Sequence, residues 1–475
     1  MERNLQENLN RIRLMSDNSK DIIINEFTMS GVNCALLACD GMISVSDLSE
    51  MVTQPLSKIF TETSSNEEIF QHITQKLLLS ADKPQIKDYE QFFKLLYSGF
   101  AVLFIDGINI ALGFGIQGFP ARGIDSPSGE GNILGGRDGF VESCRVNMSL
   151  IRRRMKSTNL KFEFLNYGTE SKTDVFLVYM RNKVPKGLVE KIKKSLDEVE
   201  LETVMSGGYL RPFVEGEHKS LFDTVSTTER PDVLCAKLLE GRVGVIIDGT
   251  PFVLVVPRLF NELFQTLDDY NFKPYYATFI RWLKYIGSAL ALLLPAIYVA
   301  VAIHHPELLN RKLLTILAEA EQNSPFPLIA EALGTLLMYE IIREAGLRLP
   351  ESIGGTVSLV GGLIIGEAAV QSGFVSLPML TVAALSVISG LIVPDLNQST
   401  TVLRIGFVIV GGAWGLYGIS LLGTLVLFNL CASETYGFPL TAPISPFSKK
   451  AMRDVIVRVG FKKMQKGNFN INKLK

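Results

Sequence analysis

Closely spaced apolar runs fill the stretch from 282 to 431, behind a long hydrophilic body of ordinary soluble-protein character. Each run approaches the ~20 residues that carry a helix across a bilayer, so the block reads as a membrane domain behind a soluble head. The 475 residues are 47% hydrophobic and 20% charged, the mixture expected of a chain that is part soluble and part membrane. A net charge of −1 gives no global basic field, and nucleic acid is not an expected partner. Residues 1–20 are polar, lack the apolar core of a signal peptide, and read as a disordered tail. The head is therefore expected to stay on the side where it is made.

Cys34, Cys39, Cys144, Cys235 and Cys431 show no CxxC spacing and read as reduced thiols. His72, His218, His304 and His305 do not make up a zinc ligand set. With no metal motif and no nucleophile motif, catalysis is not expected and no cofactor is implied.

Within the head, 101–112 and 243–254 each place an Asp-Gly pair, Asp106-Gly107 and Asp248-Gly249, between two apolar runs. That pattern predicts a β-hairpin, with a type I′ turn that needs positive φ at both central residues. Each hairpin follows an earlier apolar strand, 33–39 and 173–180. Helical patterns fill the gaps, at 65–79 and 89–98, then at 185–199 and 231–240. The repeated order predicts an α/β head of two similar subdomains, 21–138 and 139–275; chance likeness of two short strands is the competing reading.

Residues 113–139, rich in Gly, Pro and Ser, read as a linker or mobile loop. Gly113, Gly115 and Gly118 match GxGxxG, but Pro120 and Gly123 break the helix that would hold a pyrophosphate, which argues against nucleotide binding. Phe140, Cys144, Met148 and Ile151 then form a helical stripe, expected to pack one subdomain against the other. Arg152, Arg153 and Arg154 read as the solvated end of that helix.

Four stretches have the length and composition of spans: 282–303 with Pro295 as a kink, 353–371, 374–393, and 402–431. The last is longer than required and is expected to tilt or to extend past the membrane. A fifth, 326–342, carries Glu331 and Glu340 and reads as an interfacial or re-entrant helix, or as a span facing the protein interior. Together these make an all-α, multi-span membrane domain over 276–446. Arg281 and Lys284 precede the first span, and Lys449, Lys450, Arg453, Arg458, Lys462, Lys463 and Lys466 follow the last. The positive-inside rule puts both ends in the cytoplasm, which requires an even number of crossings. The tail, 447–475, reads as a basic cytoplasmic segment with an amphipathic helix near 451–464 suited to anionic lipid.

The stretch 353–371 carries the candidate site. Gly354, Ser358, Gly362 and Gly366 recur every fourth residue, a small-residue stripe that lets helices pack closely. Another face carries Thr356, Val360, Ile364 and Glu367, the candidate pore lining. Several copies around an axis would form a carboxylate ring beside an apolar constriction, which selects and gates cations. The competing reading pairs Glu367 with a neighbouring helix or lets it snorkel to the interface. A second series, Gly411, Gly415 and Gly418, reads as simple helix packing.

Motifs across nearly the whole chain give a resemblance. They include Gly139, Phe140 and Glu142 with Asn147 and Arg152–Arg154; Lys172-Thr173-Asp174; Thr228-Glu229-Arg230-Pro231-Asp232; and Glu240-Gly241-Arg242 with Asp248-Gly249-Thr250-Pro251. The apolar block adds Leu294-Pro295, Tyr298, Pro325-Phe326-Pro327, Glu344-Ala345-Gly346, Arg348, Pro350 and Gly361-Gly362. On these the chain resembles the GerA-type spore germination receptor A-subunit family, which includes the stage V sporulation protein AF. The resemblance implies an inner spore membrane protein, with its N-terminal head and C-terminal tail facing the spore core. It also implies a self-assembled pentamer acting as a nutrient-gated channel for monovalent cations, beside a transporter-like B-subunit and a lipoprotein C-subunit. The B-subunit would bind the germinant, and this chain would conduct or transmit. The family pattern carries an amide where this chain has Glu367. A secondary transporter and a structural scaffold remain as other classes.

Overall fold

A computed structural model of the chain describes all residues except 58–64, 77–81, 119–126, 128, 132, 217–219, 323, 349–361, 363, 365, 450, 465–469 and 475. The first subdomain contains α1 (Leu5–Ser16), β1 (Ile22–Met29), β2 (Val32–Cys39), β3 (Gln85–Ile86), α2 (Tyr89–Leu96), β4 (Phe100–Ile105) and β5 (Ala111–Gly115). The second contains α3 (Cys144–Arg154), β6 (Leu160–Tyr167), β7 (Thr173–Met180), α4 (Leu188–Leu196), α5 (Gly207–Glu215), β8 (Ser226–Thr228), α6 (Pro231–Leu239), β9 (Val243–Ile247) and β10 (Val253–Val256). The two antiparallel sheets have matching strand orders, β1-β2-β4-β5-β3 and β6-β7-β9-β10-β8.

Strand residues alternate between two buried faces. In β2, Ala35, Leu37 and Cys39 join α1 and α2, whereas Cys34 and Leu36 face the other way. In β7, Phe176, Val178 and Met180 join α3 and α6, whereas Val175, Leu177 and Tyr179 join α4 and α5. A strand covered on both faces must be apolar throughout, so these runs lack alternation.

The two Asp-Gly hairpins form, though not with the expected turn. Gly107 and Gly249 have φ of 84° and 85°, and neither aspartate has positive φ. The aspartates instead hold helix starts. Asp106 Oδ1 accepts from the Leu5 amide and Asp248 Oδ1 from the Cys144 amide, both at 2.9 Å. The following glycine amides donate to Arg3 O and Glu142 O, both at 2.8 Å. This pairing makes α1 the counterpart of α3. The expected disordered tail at 1–20 is therefore corrected: Leu5, Leu9 and Ile12 recur on one helical face and are buried in the first core.

The stripe of α3 packs on its own sheet rather than between subdomains. Arg152 makes the cross-contact, and its solvated reading is corrected. Its side chain and that of Asp21 are 1% and 2% exposed, with Nη2 and Oδ2 2.6 Å apart. The guanidinium also donates to Ser157 O and Leu160 O and lies 4.2 Å from the Tyr97 ring centroid.

Behind the head comes a helical layer: α7 (Pro274–His304), α8 (Arg311–Gln322), α9 (Leu328–Arg348), α10 (Leu377–Gly390) and α11 (Asn397–Ala432). Among the described residues, 274–304 and 394–432 are long and apolar enough to cross a membrane by length and composition. The second is not one straight rod. Gly415, at φ 61° and ψ −150°, interrupts α11, and a Cβ added at Gly411 would lie 3.2 Å from the Ile419 side chain. Ser399 Oγ donates to Leu221 O at 2.6 Å, and the Leu221 amide donates to Asn429 Oδ1 at 3.0 Å. Positions 30 residues apart that meet one residue cannot lie on one straight helix. The arms on either side of Gly415 therefore run antiparallel, which replaces the expected tilted span.

The tail is also corrected. Segment 451–464 is not a continuous helix: Ala451–Asp454 is a 3₁₀ turn and Phe461–Met464 a single helical turn. After α11 the chain returns to the second subdomain, where Phe438, Ala442 and Ile471 complete its core. The boundary at 447 has no counterpart in the packing, because apolar residues on both sides of it fill the same space.

Candidate functional site

Proline shapes the first helix of the layer. Pro295 has no N–H, so the Ala291 carbonyl one turn earlier loses its helical donor. Ser386 Oγ on α10 donates to that carbonyl at 2.7 Å. Arg404 on α11 donates to Ser386 Oγ at 3.3 Å and to Glu340 Oε1 on α9 at 3.0 Å, where Thr401 also donates. Arg343 pairs with the other Glu340 oxygen at 2.7 Å. One proline thus anchors a polar seam through four helices.

A second orphan carbonyl follows from the break at Gly415. Gly412 O accepts from His304 Nε2 at 2.7 Å, which ties the end of α7 to the turn of α11. Helix α9 lies along the first arm of α11, with Ile329 over Gly412 and Glu340 on Arg404. It therefore packs along the length of that arm, with Glu331 and Glu340 both turned into the layer. Glu331 Oε1 accepts from the Ser376 amide and hydroxyl, at 2.7 and 2.5 Å, and so holds the start of α10. In the second glycine series, Gly411 and Gly418 sit at close contacts, while Gly415 makes the reversal.

Of the sequence-derived candidates, Gly354, Thr356, Ser358 and Val360 lie outside the described residues. Residues 366–371 are helical. Ile364 is 59% exposed, and a Cβ added at Gly362 or Gly366 would meet nothing within 4 Å among the described residues. Glu367 is exposed and accepts from Gln371 Nε2 at 3.0 Å. Ile364 and Glu367 thus point outward on one face, and on the other Gly362 and Gly366 meet no neighbour among the described residues.

Sequence reasoning missed Arg404, a lone cation inside an apolar run and hence a readable signal. It also missed the junction between head and layer. There Arg258, after β10, pairs with Asp395 in the Pro394–Leu396 turn between α10 and α11. Leu263, Phe264, Val393 and Leu396 form an apolar plug beside it, with Tyr285 stacked on Phe264 at 4.1 Å between ring centroids. At the base of α7, buried Arg281 bridges Asp269 and Asp454, both at 3.1 Å, and Lys284 pairs with Asp269 at 3.2 Å.

The described part of the glycine-rich segment is docked, which corrects its reading as a mobile linker. Asp268 accepts from the Ile133 and Leu134 amides, both at 3.2 Å, and Arg230 Nη2 donates to Gly136 O at 2.8 Å. Thr228 Oγ1 donates to Glu130 Oε2 at 2.7 Å. Burial pushes the Glu130 carboxyl from the ordinary 4.5 up to about 7, with Asp395 and Glu229 adding to the rise. The GxGxxG match falls in β5 and a bridge between Ile43 and Gln117.

The family model of the Bacillus/Clostridium GerA spore germination protein matches residues 10–468. The chain belongs to this family. Spore germination protein KA of Bacillus subtilis is 35% identical over 96% of this chain and 84% of its own length. The uncharacterized membrane protein YfkQ of Bacillus subtilis is 36% identical over 96% of this chain and 89% of its own. Among solved structures, the N-terminal domain of the A subunit of the Bacillus megaterium spore germinant receptor GerK3 covers 55% of this chain and 97% of its own at 27% identity, with a TM-score of 0.41. In this GerA-family chain the motifs Glu240-Gly241-Arg242 and Thr228–Asp232 have structural roles. Arg242 bonds Glu240, Glu262 and Pro257 O, and Arg230 pairs with Asp232.

Proposed function

We propose that this chain is the membrane subunit of a spore germinant receptor, and that copies of it assemble, as a pentamer, into or around a channel for monovalent cations. The carrying observation is that Ile364 and Glu367 are exposed on one face and that, on the other, Gly362 and Gly366 are unfilled among the described residues. A second copy fits there: Gly354, Ser358, Gly362 and Gly366 seat a neighbouring helix, while Thr356, Val360, Ile364 and Glu367 line the conduit. The layer's topology supports several crossings. The second half of α9 meets Arg404 through Glu340, and α10 begins beside Glu331 near the start of α9, so the chain returns across the layer between them, a crossing assigned to 353–371. With α11 folded back at Gly415, the crossings number six, which keeps both ends on the cytoplasmic side of the inner spore membrane. A transporter-like B-subunit and a lipoprotein C-subunit complete the receptor.

A pore-less transmitting scaffold is the alternative, favoured by the Arg258–Asp395 junction, which joins the head directly to the α10–α11 turn. Planar-bilayer recording separates the two. The purified full chain should pass cations; a bilayer that stays silent while the oligomer is intact contradicts the channel and favours the scaffold.

A further inference from the structure

After the layer, residues 456–460 run back along the start of α7. Trp282 Nε1 donates to Ile456 O at 3.1 Å, the Arg458 amide donates to Thr278 Oγ1 at 3.1 Å, and Gly460 packs on Pro274. Between the two segments lies a groove of ≈ 500 Å³. Pro274, Val457 and Phe461 give it an apolar wall, and Arg458, Lys462 and Lys463 line it with positive charge. Arg458 is 3% exposed, and its guanidinium lies 4.7 Å from the Phe461 ring centroid. Its Nη2 donates to Tyr270 O at 3.1 Å, but its buried Nε has no acceptor among the described residues. A buried cation without a carboxylate partner is costly, and an anion seated in the groove beside Arg458 offsets its charge.

Next to Pro274, which lines the groove, α7 carries an apolar stripe. Tyr275, Phe279, Trp282, Ile286 and Leu290 are exposed and fall at successive steps of four, three, four and four, one face of α7. Aromatic residues beside basic ones, at the end of an apolar helix, match the lipid headgroup level. A free anion would satisfy Arg458 but would leave this stripe bare.

We propose that the groove binds an anionic phospholipid, its phosphate on Arg458 with Lys462 and Lys463 at the rim, and its acyl chains along the α7 stripe. The site rests on the reading of α7 as a membrane helix. Basic side chains then secure the base of α7, and with it the junction at Asp269 and Asp454, to the cytoplasmic leaflet.

The test uses the full chain in bilayer discs of phosphatidylcholine with or without phosphatidylglycerol. Lipid retained on detergent extraction is counted by mass spectrometry. The wild type should retain phosphatidylglycerol in preference, and K462Q/K463Q, which changes only exposed residues, should lower that preference about tenfold. Arg458→Gln should lower it further. Equal retention of both lipids, or displacement of phosphatidylglycerol by inorganic phosphate, overturns the site. A chain that enters neither kind of disc overturns the membrane reading beneath it instead.

Discussion

The two halves of the head share a strand order and a pair of aspartate-held helix starts, yet they are placed differently. The second half carries the contacts to the helical layer: Arg258 on Asp395, and Leu221 on Ser399 and Asn429. It also takes in the returning tail, through Phe438, Ala442 and Ile471. The first half meets the second at Arg152, and the strap that joins them is pinned at Asp268, just before α7. A duplicated unit has thus divided its labour. One copy is built into the helical layer, and the other leans on it through Arg152, with Lys161 on Asp17 and Lys156 on Ser98 beside it, and through the strap.

Removing the first connection should have the largest effect. Arg152→Ala leaves Asp21 charged and buried, and should cost about 3–5 kcal/mol, read as loss of denaturant resistance of the full chain in detergent. Arg154→Ala breaks a half-exposed pair with Asp138 and should cost no more than about 1 kcal/mol. Similar losses from the two would remove Arg152 as the clamp.

The twin aspartates test the equivalence itself. Asp106→Ala and Asp248→Ala should each cost about 1.5–3 kcal/mol, because each frees a helix-start amide from a carboxylate. Hydrogen exchange should show the loss first in α1 and α3 respectively. An effect in one half only would mean that the likeness is geometric without being energetic.

These pairings also show where the sequence was legible. The central strands stood out because both faces of each sheet are covered, and Val32–Cys39 and Thr173–Met180 had to be apolar. The first strand of each sheet was missed. In Ile22–Met29 and Leu160–Tyr167, Asn25, Glu26, Lys161 and Glu163 interrupt the runs, as suits strands at a sheet edge. Helix α1 hid for a related reason: its three buried apolar residues lie four and three apart within a polar segment. Gly415 was read as packing because a glycine gives one letter to two uses, close approach and positive φ. Arg152 and Arg153 are neighbours in sequence, yet one is buried and the other exposed, a difference fixed only by where Asp21 arrives. In the candidate site, Ile364 and Glu367 are exposed in the single chain, while Gly354, Thr356, Ser358 and Val360 lie outside the described residues. The junction pair Arg258–Asp395 joins positions far apart in the chain, and no local pattern marks it.

A smaller effect is expected at the layer's reversal. Gly415→Ala places a side chain at φ 61° and 3.1 Å from His304 Cβ, and should cost about 1–2 kcal/mol, seen as a lower melting temperature in detergent. An unchanged melting temperature would argue for a continuous α11.

The second connection carries a pH dependence, the smallest effect. Glu130 faces Thr228, Glu229, Arg230 and Asp395, and holds its proton up to about pH 7 when the strap is docked, against an ordinary 4.5 when it is free. A raised value in the docked state means that docking is fully supported below about 4.5 and weakens as pH rises through about 7. Exchange protection of the Ile133 and Leu134 amides, corrected for intrinsic rates, should fall over that range and become flat in Glu130→Gln. Protection that rises with pH would reverse the sign and remove Glu130 as its source.

The channel is tested most directly by the charge at position 367. In planar bilayers under a salt gradient, the purified wild-type chain should show a reversal potential close to that of a cation conductor, and Glu367→Lys should move it toward the anion side. An intact oligomer whose reversal potential does not change with that substitution would contradict the account.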